Sequence, residues 1–135
     1  MEIIKVLIVE DREEHQKLFK RIVVGKLGYE CMIASSLDES LMLLKAQKFH
    51  IVLTDLSLSP DNDRNRDGIK VLAFIKESNL KVKSLVLTAY GDVVDADKCF
   101  STYNISGFIP KIADVETIIL RIKNVAEMAL KEQDS

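Results

Sequence analysis

The stretch Ile3-Ile4-Lys5-Val6-Leu7-Ile8-Val9-Glu10-Asp11 decides how this chain is read. From Ile3 to Val9 it is an apolar, β-branched run with little alternation, and such runs belong to central parallel strands covered on both faces. The run ends on two carboxylates. Beyond them Leu18, Phe19, Ile22 and Val23 recur at spacings of three and four, the period of an amphipathic helix. Strand, acidic turn, helix is therefore the first unit, and the rest of the chain keeps the same rhythm.

Ile51 to Leu53 and Leu85 to Leu87 are apolar runs of the same kind, and Tyr29 to Ala34 and Gly107 to Ile109 are weaker strand candidates. Helical stripes separate them: Leu37, Leu41 and Leu44; Leu72 and Ile75; Val93, Ala96, Phe100 and Tyr103. The last helix is the clearest. Val115, Ile118, Ile119, Ile122, Val125, Ala126 and Ala129 line one face, and Asp114 stands at the N-cap. Five strand-helix units in strict alternation predict an α/β fold with a mostly parallel sheet. The polar segment Ser59 to Gly68 reads as a long loop, and the tail from Lys131 to Ser135 as a fraying end.

A length of 135 residues leaves room for one domain, expected over residues 1–135 with a core from about residue 3 to 130. With 47% hydrophobic and 30% charged residues the chain has material for a core. Its 21 acidic and 19 basic residues nearly cancel, which disfavours direct contact with nucleic acid or a membrane surface. Neither a bilayer-length apolar run nor a basic, cleavable start is present, so a cytoplasmic protein is expected. Cys31 and Cys99 lack a CxxC pattern and fit reduced core thiols.

In an open parallel α/β sheet, ligands bind beyond the carboxyl ends of the strands. The residues found there are Glu10 and Asp11, Asp55, Thr88 and Lys111. Taken singly each has a plain reading: Asp11 with Glu14 is a D-x-x-E helix cap, Asp55 a turn residue, Thr88 a β-former and Lys111 a solvated charge. Together they place three carboxylates, a hydroxyl and an ammonium on one rim. Like charges so close either raise one another's pKa or recruit a cation; a hard divalent ion is the natural answer, and Mg2+, with oxygen ligands, completes its shell with phosphate oxygens. The lone lysine and the threonine hydroxyl suit the remaining phosphoryl oxygens. Phosphoryl chemistry is the expectation.

Other sites fail on specific residues. Glu10-Asp11-Arg12-Glu13 replaces the glycine-rich turn of a dinucleotide fold, and there is no GxxxxGK[ST]. The loop from Asp61 begins like a calcium loop but has Arg66 where glycine is needed and Leu72 where glutamate is needed. His15 and His50 have no partner at ligand spacing and read as core-edge or surface residues.

Val6-Leu7-Ile8-Val9-Glu10-Asp11, Ile51-Val52-Leu53-Thr54-Asp55-Leu56, Asp67-Gly68, Leu85-Val86-Leu87-Thr88-Ala89 and Gly107-Phe108-Ile109-Pro110-Lys111 together resemble the receiver domain of bacterial two-component response regulators. The resemblance runs from Lys5 to about Met128. It implies a doubly wound, flavodoxin-like sheet of five parallel strands in the order 2-1-3-4-5. It also implies that Asp55 accepts a phosphoryl group from a histidine kinase or phosphotransfer protein. Glu10, Asp11, Asp55 and the backbone carbonyl of Ser57 would hold Mg2+, and Thr88 and Lys111 would contact the phosphoryl oxygens. Phe108 would then turn into the space Thr88 vacates, remodelling the face of the fourth helix, fifth strand and fifth helix for a downstream effector protein. Such a protein is a switch rather than an enzyme: it catalyses only its own phosphorylation and slow self-dephosphorylation.

Three departures from the family pattern stand out. The stretch between Asp55 and Asp67 is longer than the family's usual turn and carries Asp61, Asp63, Arg64 and Arg66, which suggests a partner-facing or gating loop. Ile112 comes after Lys111 where the family usually has a cis proline, so a trans bond is expected there. Tyr90 is bulky and suits a shield over the acyl phosphate. The residues after Lys111 suffice for one helix and a short tail, so the domain is expected to act alone through protein contacts unless the sequence is cut from a longer regulator. Two rivals are a metal-dependent aspartyl phosphatase, which usually presents a D-x-D pair missing here, and a pseudo-receiver that only binds partners.

Overall fold

A computed structural model of the protein describes residues 3–58, 65–88, 98–99 and 101–133. Five strands carry it: β1 (Lys5–Val9), β2 (Glu30–Ala34), β3 (Ile51–Asp55), β4 (Lys83–Thr88) and β5 (Gly107–Pro110). All pair in parallel, in the order β2-β1-β3-β4-β5. The α/β expectation and the strand order implied by the resemblance both hold. The strand limits differ from the sequence reading by one or two residues, because pairing continues past the apolar runs into Thr54, Asp55 and Thr88.

Helices cover both faces of the sheet. On one, α1 (Glu13–Lys20) and the C-terminal helix (Val115–Gln133) pack on strand residues of one parity, including Val6, Ile8, Ile51, Leu53, Leu85 and Leu87. On the other, α2 (Leu37–Ala46) and α3 (Asp67–Glu77) pack on Leu7, Val9 and Val52. With both faces covered, β3 is buried throughout, which is why it shows no alternation.

The helix termini explain where the elements begin. Asp114 Oδ1 accepts the Thr117 N–H at 2.7 Å and starts the C-terminal helix as predicted. Ser36 Oγ accepts the Glu39 N–H at 3.2 Å and starts α2. The expected Asp11 cap is not there: α1 begins at Glu13, Arg12 occupies the N-cap position, and no side chain caps it. Asp11 is held back from the helix because Gln16 Nε2 donates to the Glu10 carbonyl at 2.6 Å and shapes the turn instead.

α1 continues as a π-helical segment, Arg21–Lys26, marked by the Leu27 N–H reaching the Ile22 carbonyl at 3.0 Å. The wider turn buries Ile22 and Val23 side by side. Gly28, at φ 72°, then ends it in a left-handed conformation that costs glycine nothing. Both cysteines are free thiols; Cys99 is buried as expected, whereas Cys31 is only half-buried because β2 is an edge strand. Among the described residues no peptide bond is cis, Lys111–Ile112 included, and no helix is long and apolar enough to cross a membrane. The loop residues 59–64, Tyr90, the fourth helix's Val93, Ala96 and Phe100, and the final two residues lie outside the described residues.

Candidate phosphoryl and metal site

Strand register assembles the site. Val9 of β1 lies level with Thr54 of β3, so Glu10 and Asp55 share a row; Asp55 lies level with Leu87, so Thr88 is one step further. Thr88 in turn pairs with Pro110, which places Lys111 just past the end of β5, and the Lys111 N–H donates to the Thr88 carbonyl at 2.8 Å. A strand rises only about 3.3 Å per residue, so residues within two steps of a common row meet across neighbouring strands. The five residues singled out from the sequence are thus brought to one edge.

Their side chains converge. Glu10, Asp11 and Asp55 each offer a carboxylate oxygen, all within 4.8 Å of one another. Lys111 Nζ lies 2.5 Å from Asp55 Oδ2 and 3.0 Å from Glu10 Oε2. Among the described residues Asp11 Oδ2 is buried with no hydrogen-bond partner, and Glu10 Oε2 has no directed hydrogen bond beyond its ion pair with Lys111. Buried oxygens left this way are costly unless something else satisfies them. Three clustered carboxylates with an orphaned oxygen are the donor set of a hard divalent cation, and the residues present fit Mg2+.

Asp55 itself is held from its backbone side. Thr54 Oγ1 donates to the Asp55 carbonyl at 2.9 Å, and the Ser57 N–H donates to Asp55 Oδ1 at 3.3 Å. Asn65 Oδ1 accepts from the Leu58 N–H at 3.0 Å and the Asp67 N–H at 2.9 Å, tying together the two ends of the long loop. Among the described residues Thr88 Oγ1 reaches the Ile109 carbonyl alone, at 3.5 Å, a weak commitment of its hydroxyl. Phe108 is half-buried against the cluster of Leu56, Leu72, Val86, Cys99 and Ile105.

Two residues of α1 reach the site that the sequence reading did not place there: His15, read as a core-edge or surface residue, and Gln16, not considered. His15 Nδ1 lies 3.2 Å from Lys111 Nζ and 3.4 Å from Glu10 Oε1, and Gln16 holds the Glu10 carbonyl and the Ser35 hydroxyl. The signal for His15 was its place in the first turn after the acidic pair, because helical side chains lean back toward the N-terminus and over the strand end. The other histidine is a core-edge residue as read: His50 Nδ1 accepts the Lys5 N–H at 3.0 Å.

Charge in this pocket is finely balanced. Burial pushes Glu10 from the usual 4.5 to about 7; Lys111 pulls it down and Asp55 adds to the rise. Burial alone would lower Lys111, but its hydrogen bond and attraction to Asp55, reinforced by Glu10, hold it above its usual value and charged. A carboxyl that ionises near 4.5 unfolded and near 7 folded keeps its proton in the folded state across that window. Stability contributed by Glu10 is therefore complete below pH 4.5 and declines as pH rises through 7, by up to about 3 kcal/mol. His15, lowered by burial and by Lys111, works in the opposite sense below its usual value of 6.5. In thermal melts from pH 5 to pH 8 without metal, the wild type should lose stability relative to Glu10→Gln. Millimolar Mg2+ should recover the loss at the upper end; parallel profiles for the two proteins would contradict the buried, charge-strained Glu10.

Residues 6–123 match the sequence profile of the response regulator receiver domain. The chain is 30% identical over 99 residues to the transcriptional regulatory protein ZraR of Escherichia coli (strain K12), an alignment covering 73% of this chain and 21% of ZraR. It is 24% identical over 130 residues to the sensor histidine kinase RcsC of the same organism, covering 96% of this chain and 13% of RcsC. The chain thus spans about a fifth or less of the length of these relatives. Among solved structures, a CheY-like response regulator receiver domain protein from Methanospirillum hungatei JF-1 superposes with a TM-score of 0.83 at 21% identity, over 97% of this chain and 99% of that one.

Proposed function

Because the chain belongs to the response regulator receiver family, we propose that it accepts a phosphoryl group on Asp55 from a histidine kinase or phosphotransfer protein, in a Mg2+-dependent reaction, and passes the signal on by changing its protein contacts. The observation that carries this reading is Lys111 Nζ at 2.5 Å from Asp55 Oδ2 beside a cluster of three carboxylates. One ammonium and one cation site flank the same nucleophile.

The Asp55 carboxylate attacks phosphorus in line, forming a carboxyl O–P bond while the donor's P–N or P–O bond breaks and its electron pair leaves with the donor. Glu10, Asp11, Asp55 and the Ser57 carbonyl would hold Mg2+, which supplies positive charge for the equatorial oxygens when bound. Lys111 offers a second positive charge to those oxygens, already in contact with the acceptor. The acyl phosphate adds about −1.5 to −2 units of charge. Thr88, weakly engaged at Ile109, turns its hydroxyl toward that charge. Phe108 moves into the vacated space, and since Arg121 Nη1 donates to the Phe108 carbonyl at 3.1 Å, the movement reaches the C-terminal helix. Turnover on an outside substrate is not part of this role, and a cytoplasmic location goes with it.

Incubation with acetyl phosphate and Mg2+, followed by intact-protein mass measurement, tests the proposal. A stoichiometric adduct lost in Asp55→Asn is expected. Many turnovers per chain would instead indicate a phosphatase, and no adduct a receiver that only binds partners.

A further inference from the structure

We propose that His15 is a positioning residue for Lys111, holding the ammonium on the β1 side of the pocket so that it meets the phosphoryl group in a set orientation; this rests on the phosphoacceptor role of Asp55. The contact is His15 Nδ1 to Lys111 Nζ at 3.2 Å, between groups 96 residues apart in the chain. An ammonium has only hydrogens to offer, so in this contact Nδ1 accepts and the ring proton sits on Nε2. Lys111 then has three groups converging on it: Asp55 Oδ2 and His15 Nδ1 as hydrogen-bond acceptors and Glu10 Oε2 as an ion-pair partner.

These three are not equivalent. Asp55 changes its character when it gains a phosphoryl group, and Glu10 belongs to the cluster that fits a cation. Only the imidazole is committed to neither role. It is an uncharged acceptor on a helix, one-third exposed and packed at the rim, so it can keep its hold on Lys111 while both carboxylates change partners. The same ring nitrogen lies 3.4 Å from Glu10 Oε1, and an oxygen acceptor there would need a proton on Nδ1. The two contacts of Nδ1 are mutually exclusive, so the ring tautomer reports whether Lys111 is engaged.

Both halves can be measured. The chain has two histidines, and His50 Nδ1 accepts from a backbone N–H remote from the site, so it serves as an internal reference. Ring 15N NMR of the metal-free wild type should place the His15 proton on Nε2. In Lys111→Met the proton should shift toward Nδ1 while His50 is unchanged; an unmoved His15 signal would overturn the tether. With acetyl phosphate at saturating Mg2+, His15→Ala should slow adduct formation roughly tenfold, as for loss of one hydrogen bond to a charged group. Mg2+ affinity and melting temperature should stay near wild type. His15→Gln, whose amide oxygen can accept from Lys111, should recover most of the rate. Equal rates for wild type and His15→Ala would refute the positioning role, as would a rate in both variants that simply tracks melting temperature. If the wild type forms no Asp55 adduct, the phosphoacceptor reading fails, and the tether is still judged by the ring tautomer.

Discussion

Gly68→Ala is expected to be the most damaging alanine substitution among the described glycines. A Cβ at residue 68 would lie 1.7 Å from the Asp55 carbonyl oxygen and 2.7 Å from both the Asp55 carbonyl carbon and the Leu56 Cα. All three are backbone atoms of the Asp55-Leu56 segment, so no side chain can swing aside. The start of α3 must move off the end of β3, breaking the 3.0 Å hydrogen bond from the Gly68 N–H to the Leu56 carbonyl. Overpacking of this kind, with a lost buried hydrogen bond, costs roughly 3 kcal/mol or more. That corresponds to a fall in melting temperature of roughly 10 °C for a domain of this size. Asp55 should also be displaced relative to Lys111, so adduct formation with acetyl phosphate should drop together with stability. A Gly68→Ala protein that melts within a degree or two of wild type would show that the close approach is not real.

Lys111→Met is expected to give the second large effect, and one that depends on pH. Methionine keeps most of the stem's volume and removes the charge. Glu10, fully buried, and Asp55, 6% exposed, are then left facing each other and Asp11 without compensation. Removing one partner of a buried ion pair typically costs about 3–5 kcal/mol. Here the cost is limited by protonation of Glu10, whose carboxyl already titrates near 7 and is pushed higher once the Lys111 attraction is gone. Protonation of Glu10 spares only the Glu10 share, so the variant should already be less stable than wild type at pH 5, where the Asp55 ion pair is lost, and the deficit should grow to roughly 3 kcal/mol at pH 8. Lys111 itself remains protonated across that range in the wild type, so its own titration does not contribute. Mg2+ should return much of the difference at pH 8, because a cation replaces the missing ammonium beside the same oxygens. Equal melting temperatures at pH 8 without metal would mean that the carboxylates are not desolvated as the geometry indicates.

The elements were legible because their patterns are local. Three apolar runs, the four helical stripes that fall on described helices and the Asp114 cap are properties of neighbouring residues, and a buried parallel strand announces itself by having no polar face. The edge strands β2 and β5 were weaker signals for the same reason, since each has only one strand neighbour and less need for continuous apolar character. The candidate site was legible one step removed. Nothing in the sequence states that Asp55 and Lys111 touch, but each stands at a strand end, and parallel strands bring their ends to one edge. What misled was also local: Asp11 and Glu14 have a capping spacing, yet the turn is shaped by Gln16 and leaves Asp11 in the pocket.

From residue order alone came the strand-helix alternation, the covered sheet and the group of residues at its carboxyl edge, because burial, helical periodicity and strand ends are written in short stretches of chain. Only the tertiary structure decided that His15 reaches Lys111, that Asp11 keeps an unsatisfied oxygen, and that residue 68 must lack a side chain. Those depend on distances between segments far apart in sequence. A slip of a single residue in strand register, roughly 3 Å, would part Lys111 from Asp55 and Glu10.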